Sequence, residues 1–134
     1  MKILADSHIL IWFLSADESL SPKARSILED ESNTIYYSQV SLWEIAIKHK
    51  KRPDRLTLSA QQFAYFCKEQ GFKEYPLNER HIFCLDTLHR KPGSDEHHDP
   101  FDQLLLAQAK SDGLVFMTHD SLIPDYEEPC ILSV

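Results

Sequence analysis

Residues 3–14 read Ile3-Leu4-Ala5-Asp6-Ser7-His8-Ile9-Leu10-Ile11-Trp12-Phe13-Leu14. Ile3-Leu4-Ala5 is a short apolar run that ends at a charge, Asp6. Such a run suits a buried strand of a parallel sheet, where both faces are covered. His8 to Leu14 then reads as a short apolar helix. The stretch loosely imitates a secretory leader. However, Asp6 and His8 interrupt the apolar run and no small-residue cleavage site follows, so it is read as the first strand and helix of the fold.

The same alternation continues outward. Ser21-Pro22 starts a helix with Ser as cap and Pro at its first position, running to about Asp30. Thr34 to Ser38 is β-branched and aromatic, a second strand. A helix is expected from about Ser41, leaving through the basic run Lys48-His49-Lys50-Lys51-Arg52-Pro53, whose cations complement a helix C-terminus. Ser59 caps another helix, ended by Gly71. Phe72 to Leu77 is an extended link or short strand. Asn78 caps a helix carrying Ile82, Phe83, Leu85 and Leu88, and residues 90–98 form a polar loop that places His97 and His98 above the acids at the start of the next helix. Asp99-Pro100 opens a helix ended by Asp112-Gly113. Leu114 to Thr118 is a strand, and Cys130 to Val134 a last one. Strands alternating with helices give an α/β fold with a mostly parallel sheet.

Composition narrows the function. The 134 residues are 43% hydrophobic and 26% charged, which fits a single domain, 1–134, with a sizeable core. Only 3 Gly are present, against a Gly-rich phosphate loop, and no run approaches a membrane span. The 3 Cys, Cys67, Cys84 and Cys130, are widely spaced without a CxxC, as expected of reduced thiols in a cytoplasmic protein. A net charge of −7 disfavours a broad nucleic-acid-coating surface and asks what the acids hold.

In parallel sheets, sites form where the chain leaves the carboxyl ends of strands. That rule selects Asp6 after the first strand, Ser38 after the second, and Thr118 to Asp120 after the later one. Glu44 follows in the helix after Ser38, and Asp99 and Asp102 open the helix before the 114–118 strand. Carboxylates gathered at one edge repel, so a proton or a cation must neutralise them. Mg²⁺ or Mn²⁺ suits oxygen ligands and supports phosphodiester hydrolysis. Each acid also has a purely structural reading. Ser41-x-x-Glu44 matches a capping box. Asp99 can cap the Pro100 helix, Asp102 can be a first-turn acid, and Asp120 can cap a turn with Ser121.

At these residues the chain resembles the PIN-domain family, in particular the VapC-type toxins of toxin–antitoxin pairs. The resemblance rests on Leu4-Ala5-Asp6-Ser7-His8 and on Val40-Ser41-Leu42-Trp43-Glu44-Ile45-Ala46-Ile47-Lys48. It continues through His98-Asp99-Pro100-Phe101-Asp102, Leu104-Leu105-Leu106-Ala107-Gln108-Ala109 and Met117-Thr118-His119-Asp120. It implies a three-layer α/β/α sandwich and an endoribonuclease dependent on Mg²⁺ or Mn²⁺. The family's acids fall on Asp6, Glu44, Asp102 and Asp120, as catalytic and metal-binding residues, with Asp99 an extra acid able to assist. Thr118 matches the family's hydroxyl after the last core strand, and Ser7 and Ser38 can orient the acids. A VapB-type antitoxin, an RNA substrate and a homodimer are the implied partners. In place of the family's Gly-containing link after the Glu44 helix stands Lys51-Arg52-Pro53-Asp54-Arg55-Leu56, which alters the loop beside the site.

Lys48, Lys51, Arg52 and Arg55 can grip RNA phosphates near Glu44, or form a solvated helix end. The 7 His include His97, His98 and His119, whose spacing matches no standard zinc pattern. A catalytically inactive PIN-like module that binds RNA or protein is the main alternative. A receiver domain lacks its early acidic pair and its late Lys here. A haloacid-dehalogenase-type phosphatase lacks its second Asp, since His8 stands there.

Overall fold

The computed structural model describes residues 1–134. In chain order the elements are β1 (Lys2–Ala5), α1 (Ser7–Leu14), α2 (Pro22–Glu29), β2 (Thr34–Ser38), α3 (Gln39–Lys51), α4 (Ala60–Glu69), β3 (Lys73–Tyr75), α5 (Glu79–Cys84), α6 (Pro100–Asp112), β4 (Val115–Thr118) and β5 (Ile131–Ser133). Short 3-10 turns cover Leu85–Thr87 and Ile123–Tyr126. No helix is long and apolar enough to cross a membrane.

The sheet order is β3-β2-β1-β4-β5 and every pairing is parallel. The expected mostly parallel sheet is therefore wholly parallel. Right-handed crossovers dictate the layers. From β1 through β2 to β3 the chain moves in one direction across the sheet. From β3 it jumps back past β1 to β4, which reverses the direction and sends the connecting helices to the opposite face.

Period-two alternation along each strand feeds both faces. Ile3, Ala5, Ile35, Tyr37 and Met117 pack under Ile9, Leu10, Ala24, Leu28, Phe63 and Cys67 in one core. Leu4 and Phe116 pack with Leu104, Leu105, Leu106, Ala109, Ile123 and Tyr126 in the other. Helix α3 serves both, with Ile45 in the first core and Val40 in the second. The result is the α/β/α sandwich.

Two helix boundaries differ from the sequence reading by more than a residue. Helix α3 begins at Gln39, because the Ser38 hydroxyl accepts from the Val40 N–H and caps the helix itself. Ser41 is thus inside the helix and forms no capping box with Glu44. Helix α5 ends at Cys84, and Leu85 lies in a 3-10 turn with Leu88 beyond it. A capping box stands instead at Ser59, where Ser59 and Gln62 bond each other's backbone N–H groups.

One polar network ties α5, β3 and α6 together. Asp112 stands at the C-terminus of α6, where the helix dipole disfavours an acid. It is kept there by a bidentate pair with Arg80, at 2.9 and 2.8 Å, by the Tyr75 hydroxyl, and by His81 Nε2 at 2.8 Å. His81 Nδ1 accepts from the Asn78 N–H, so Nε2 carries the proton and donates to Asp112. The Arg80 hydrogen bonds hold the Asp112 carboxyl far below the usual carboxylate range. A lowered folded-state pKa stabilises the protein above the unfolded value near 4, and that contribution is lost as pH falls below it. Asp112→Asn is therefore expected to cost about 2 kcal/mol at pH 7, less than a fully buried pair because Arg80 is half exposed. Urea melts at pH 7 and pH 3 check this, and the difference between variant and parent should shrink at the lower pH.

Candidate active site

The reversal of direction places the sheet's switch point between β1 and β4, where parallel sheets open a crevice. Asp6 leaves β1 there as the N-cap of α1, its Oδ1 accepting from the His8 N–H at 3.2 Å. Its backbone N–H still donates to Met117 on β4 at 2.9 Å. From the adjacent strand end, the Thr118 hydroxyl donates to Asp6 Oδ2 at 2.8 Å. Asp6 is 3% exposed. Burial pushes its carboxyl above the ordinary range, and the Thr118 and His8 hydrogen bonds offset this only in part.

Glu44 reaches the same edge from α3, and its side chain is buried as well. Ser7 donates to Glu44 Oε1 at 2.7 Å. The Ser7 and Ser41 hydroxyls are also 2.7 Å apart. A hydroxyl has one proton, so Ser7 spends its own on Glu44 and accepts from Ser41. Lys48, one turn on, bonds Glu44 Oε2. Partial burial works against the Lys48 charge, but Glu44 outweighs it and raises the ammonium pKa.

Asp102 sits in the first turn of α6, buried, facing the others. Burial, followed by the charges of Asp6, Asp99, Glu44 and Asp120, pushes its carboxyl up to about 9. Asp99 caps α6, accepting from the N–H groups of Phe101 and Asp102 at 2.9 and 3.1 Å. Asp120 is partly exposed; its Oδ1 accepts from the Leu122 N–H at 2.8 Å. Its own N–H donates to the Thr118 hydroxyl. Asp6, Asp99, Asp102 and Asp120 line one cavity of about 250 Å³ with His8, Trp12 and His119. Glu44 lines an adjoining cavity of about 680 Å³, and His8 and Trp12 border both.

Lys48, Lys51, Arg52 and Arg55 all line this larger cavity, together with Ile11, Ile45, Leu56 and Leu58. The departure at Lys51 to Leu56 thus builds its wall, through a turn in which the Arg55 and Leu56 N–H groups donate to the Arg52 carbonyl. Ser38 is not brought to the acids. Its hydroxyl bonds Gln108 in the core beneath α6 and caps α3. His98 is exposed and pairs with Glu96.

His97 lies in the loop above the acids, as expected, but it is not a surface residue: its side chain is 3% exposed. Its Nε2 lies 3.6 Å from Asp102 and 3.8 Å from Asp120, and is the protein's buried side-chain polar atom without a hydrogen-bond partner. Burial lowers its pKa and favours the neutral ring. Its burial follows from Tyr126, far along the chain, so no local pattern reveals it.

Donor atoms of His97, Asp102 and Asp120 all lie within 4.8 Å of one another. Asp6 lines the same cavity, and the charges of Asp6 and Glu44 both reach Asp102. A carboxyl held near 9 by burial and by neighbouring acids, beside an unpartnered nitrogen, is a donor set that fits a divalent cation.

The raised Asp102 pKa has a consequence for stability. Ionising a group whose folded pKa exceeds its unfolded value costs nothing below about pH 4, and the cost grows until about pH 9. The metal-free protein should therefore lose Tm as pH rises from 5 to 9. Mg²⁺ or Mn²⁺ should restore it, and more strongly at the higher pH, where protons no longer compete. Asp102→Asn should flatten the profile. A parent Tm equal at both pH values and indifferent to either ion would contradict this.

The family model for the PIN domain matches residues 3–129. A search of curated proteins finds no match to the chain. Among solved structures, a chain of the crystal structure of VapBC2 from Rickettsia felis, bound to a DNA fragment from their promoter, is similar over 100% of this chain and 98% of its own. Its TM-score is 0.67 at 14% identity, a likeness of fold. With the family match spanning nearly the whole sequence, the chain belongs to the PIN-domain family.

Proposed function

We propose that the protein is a metal-dependent endoribonuclease, the VapC-type toxin of a VapBC-type pair held in check by a VapB-type antitoxin. The observation that carries this reading is the junction of the two cavities. An edge rimmed by Asp6, Glu44, Asp102 and Asp120 opens beside a groove lined by Lys48, Lys51, Arg52 and Arg55. PIN-family membership supports the nuclease chemistry, and the fold shared with a VapBC2 chain supports the antitoxin pairing. Homodimerisation and a cytoplasmic location belong to the same reading.

Asp6, Glu44, Asp102 and Asp120 would hold Mg²⁺ or Mn²⁺, with Asp99 ordering the first turn of α6 beneath Asp102. A bound ion of this kind lowers the pKa of a water and offsets charge on the scissile phosphate. The chain's own residues supply position. Thr118 and Ser7 each donate to one oxygen of Asp6 and Glu44, which fixes both carboxylates before substrate arrives. Lys51, Arg52 and Arg55 attract phosphates flanking the cut. Lys48 has a different task from the others, because its ammonium is engaged by Glu44 and tunes the charge of the rim.

Asp6→Asn removes a rim charge without changing shape, and RNA cleavage in Mg²⁺ or Mn²⁺ should fall about a hundredfold or more. Expression of the parent should arrest growth, with relief by Asp6→Asn or by the antitoxin. Parent protein that binds RNA but never cuts it would instead establish the inactive binding module. The combined variant Lys51→Ala, Arg52→Ala, Arg55→Ala should weaken single-stranded RNA binding. It should also flatten the log–log salt dependence by about 2, for three lost phosphate contacts. Binding curves at several salt concentrations measure that slope.

A further inference from the structure

His97 takes no part in the function proposed above, although its side chain is buried at the acidic edge. Its ring stands in edge-to-face contact with Tyr126, and Nδ1 lies 2.8 Å from the Tyr126 hydroxyl. Gln103 donates to the His97 carbonyl at 2.9 Å and holds the backbone. Tyr126 is itself fixed by the Arg90 guanidinium, 4.9 Å above its ring. Every contact orients the ring, and none satisfies Nε2, which faces Asp102 and Asp120.

The spacing is informative. At 3.6 and 3.8 Å, Nε2 is too far from either carboxylate for a hydrogen bond. Two donors each about 2.1 Å from one ion can stand up to about 4.2 Å apart, so both separations fit ligands sharing a cation. A neutral imidazole whose Nδ1–H donates to the Tyr126 oxygen leaves the Nε2 lone pair free. That is the usual support of a metal-bound histidine.

We infer that His97 Nε2, with Asp102 and Asp120, forms a mixed nitrogen–oxygen position for a divalent transition ion. This rests on the reading that the acidic edge holds a divalent cation, and adds which ion it prefers. A rim of carboxylates alone suits Mg²⁺, whereas an imidazole donor favours Mn²⁺, and more so Co²⁺, because nitrogen ligands gain affinity along that series. His97 thus selects the ion, with Tyr126 as the residue that positions it.

The test uses the full-length, metal-free protein titrated with MgCl₂, MnCl₂ or CoCl₂. His97→Gln should weaken Co²⁺ binding about tenfold or more and leave Mg²⁺ binding within about twofold. Pulsed electron paramagnetic resonance of bound Mn²⁺ should show coupling to a histidine nitrogen. The coupling should change character on ¹⁵N-histidine labelling and disappear in His97→Gln. Because His8 and His119 also line the cavity, the combined variant His8→Gln, His119→Gln should retain the signal. That variant also keeps the test valid should His97→Gln fail to fold. Bound Mn²⁺ without nitrogen coupling, or coupling lost with His8 and His119, would overturn the inference. The nuclease reading fails separately: nitrogen-coordinated Mn²⁺ in a protein that never cuts RNA sinks the enzyme and leaves the ligand. RNA cleavage with no nitrogen coupling does the reverse.

Discussion

The hydrogen bond from Thr118 to Asp6 joins the ends of β1 and β4 at the place where the chain reverses direction across its sheet. A carboxylate at the end of a buried central strand is costly without partners. Here it receives the Thr118 hydroxyl and the His8 N–H, and its backbone remains in the sheet through Met117. The same arrangement caps α1, aligns the two strand ends and sets the floor of the cavity. Helices α3 and α6 then need only bring one buried acid each, Glu44 and Asp102, to that floor.

Stability and chemistry pull against each other at this edge. The cores are ordinary: alternating strand residues cover two faces, and the Asp112 network locks α5 to α6 far from the site. The edge instead buries acids that repel, and Asp102, desolvated first and repelled second, holds its proton to about 9. A rim that resists ionisation when empty is well suited to a divalent cation, which relieves desolvation and repulsion together. Ser7, Ser41 and Lys48 temper the same conflict at Glu44, the first two by hydrogen bonding and the third by charge.

Much of this was legible from local pattern. Asp6 stood out because an apolar strand ended in a charge. Asp99-Pro100 announced a capped helix, and Gly113 closes it in the left-handed conformation that only a residue without a side chain adopts freely. The basic run after α3 was visible as charge, although its position along a groove wall was not. Ser41-x-x-Glu44 misled, since a capping pattern one turn inside a helix is identical in sequence to one at its start. Ser38 misled for the opposite reason, lying at a strand end where its hydroxyl turns inward to Gln108 and away from the acids.

The sequence by itself determined the alternation of strands and helices, and therefore the layers, because strand and helix periodicities depend on neighbours a few residues away. It also placed acids at the ends of strands, where parallel topology opens a crevice. Tertiary structure alone decided which groups share that crevice. His97 reads as a histidine of a polar loop above the acids; only Tyr126, 29 residues on, buries it and aims its free nitrogen at Asp102 and Asp120. Burial, orientation and an unmet hydrogen bond are properties of partners distant in the chain, and no local pattern encodes them.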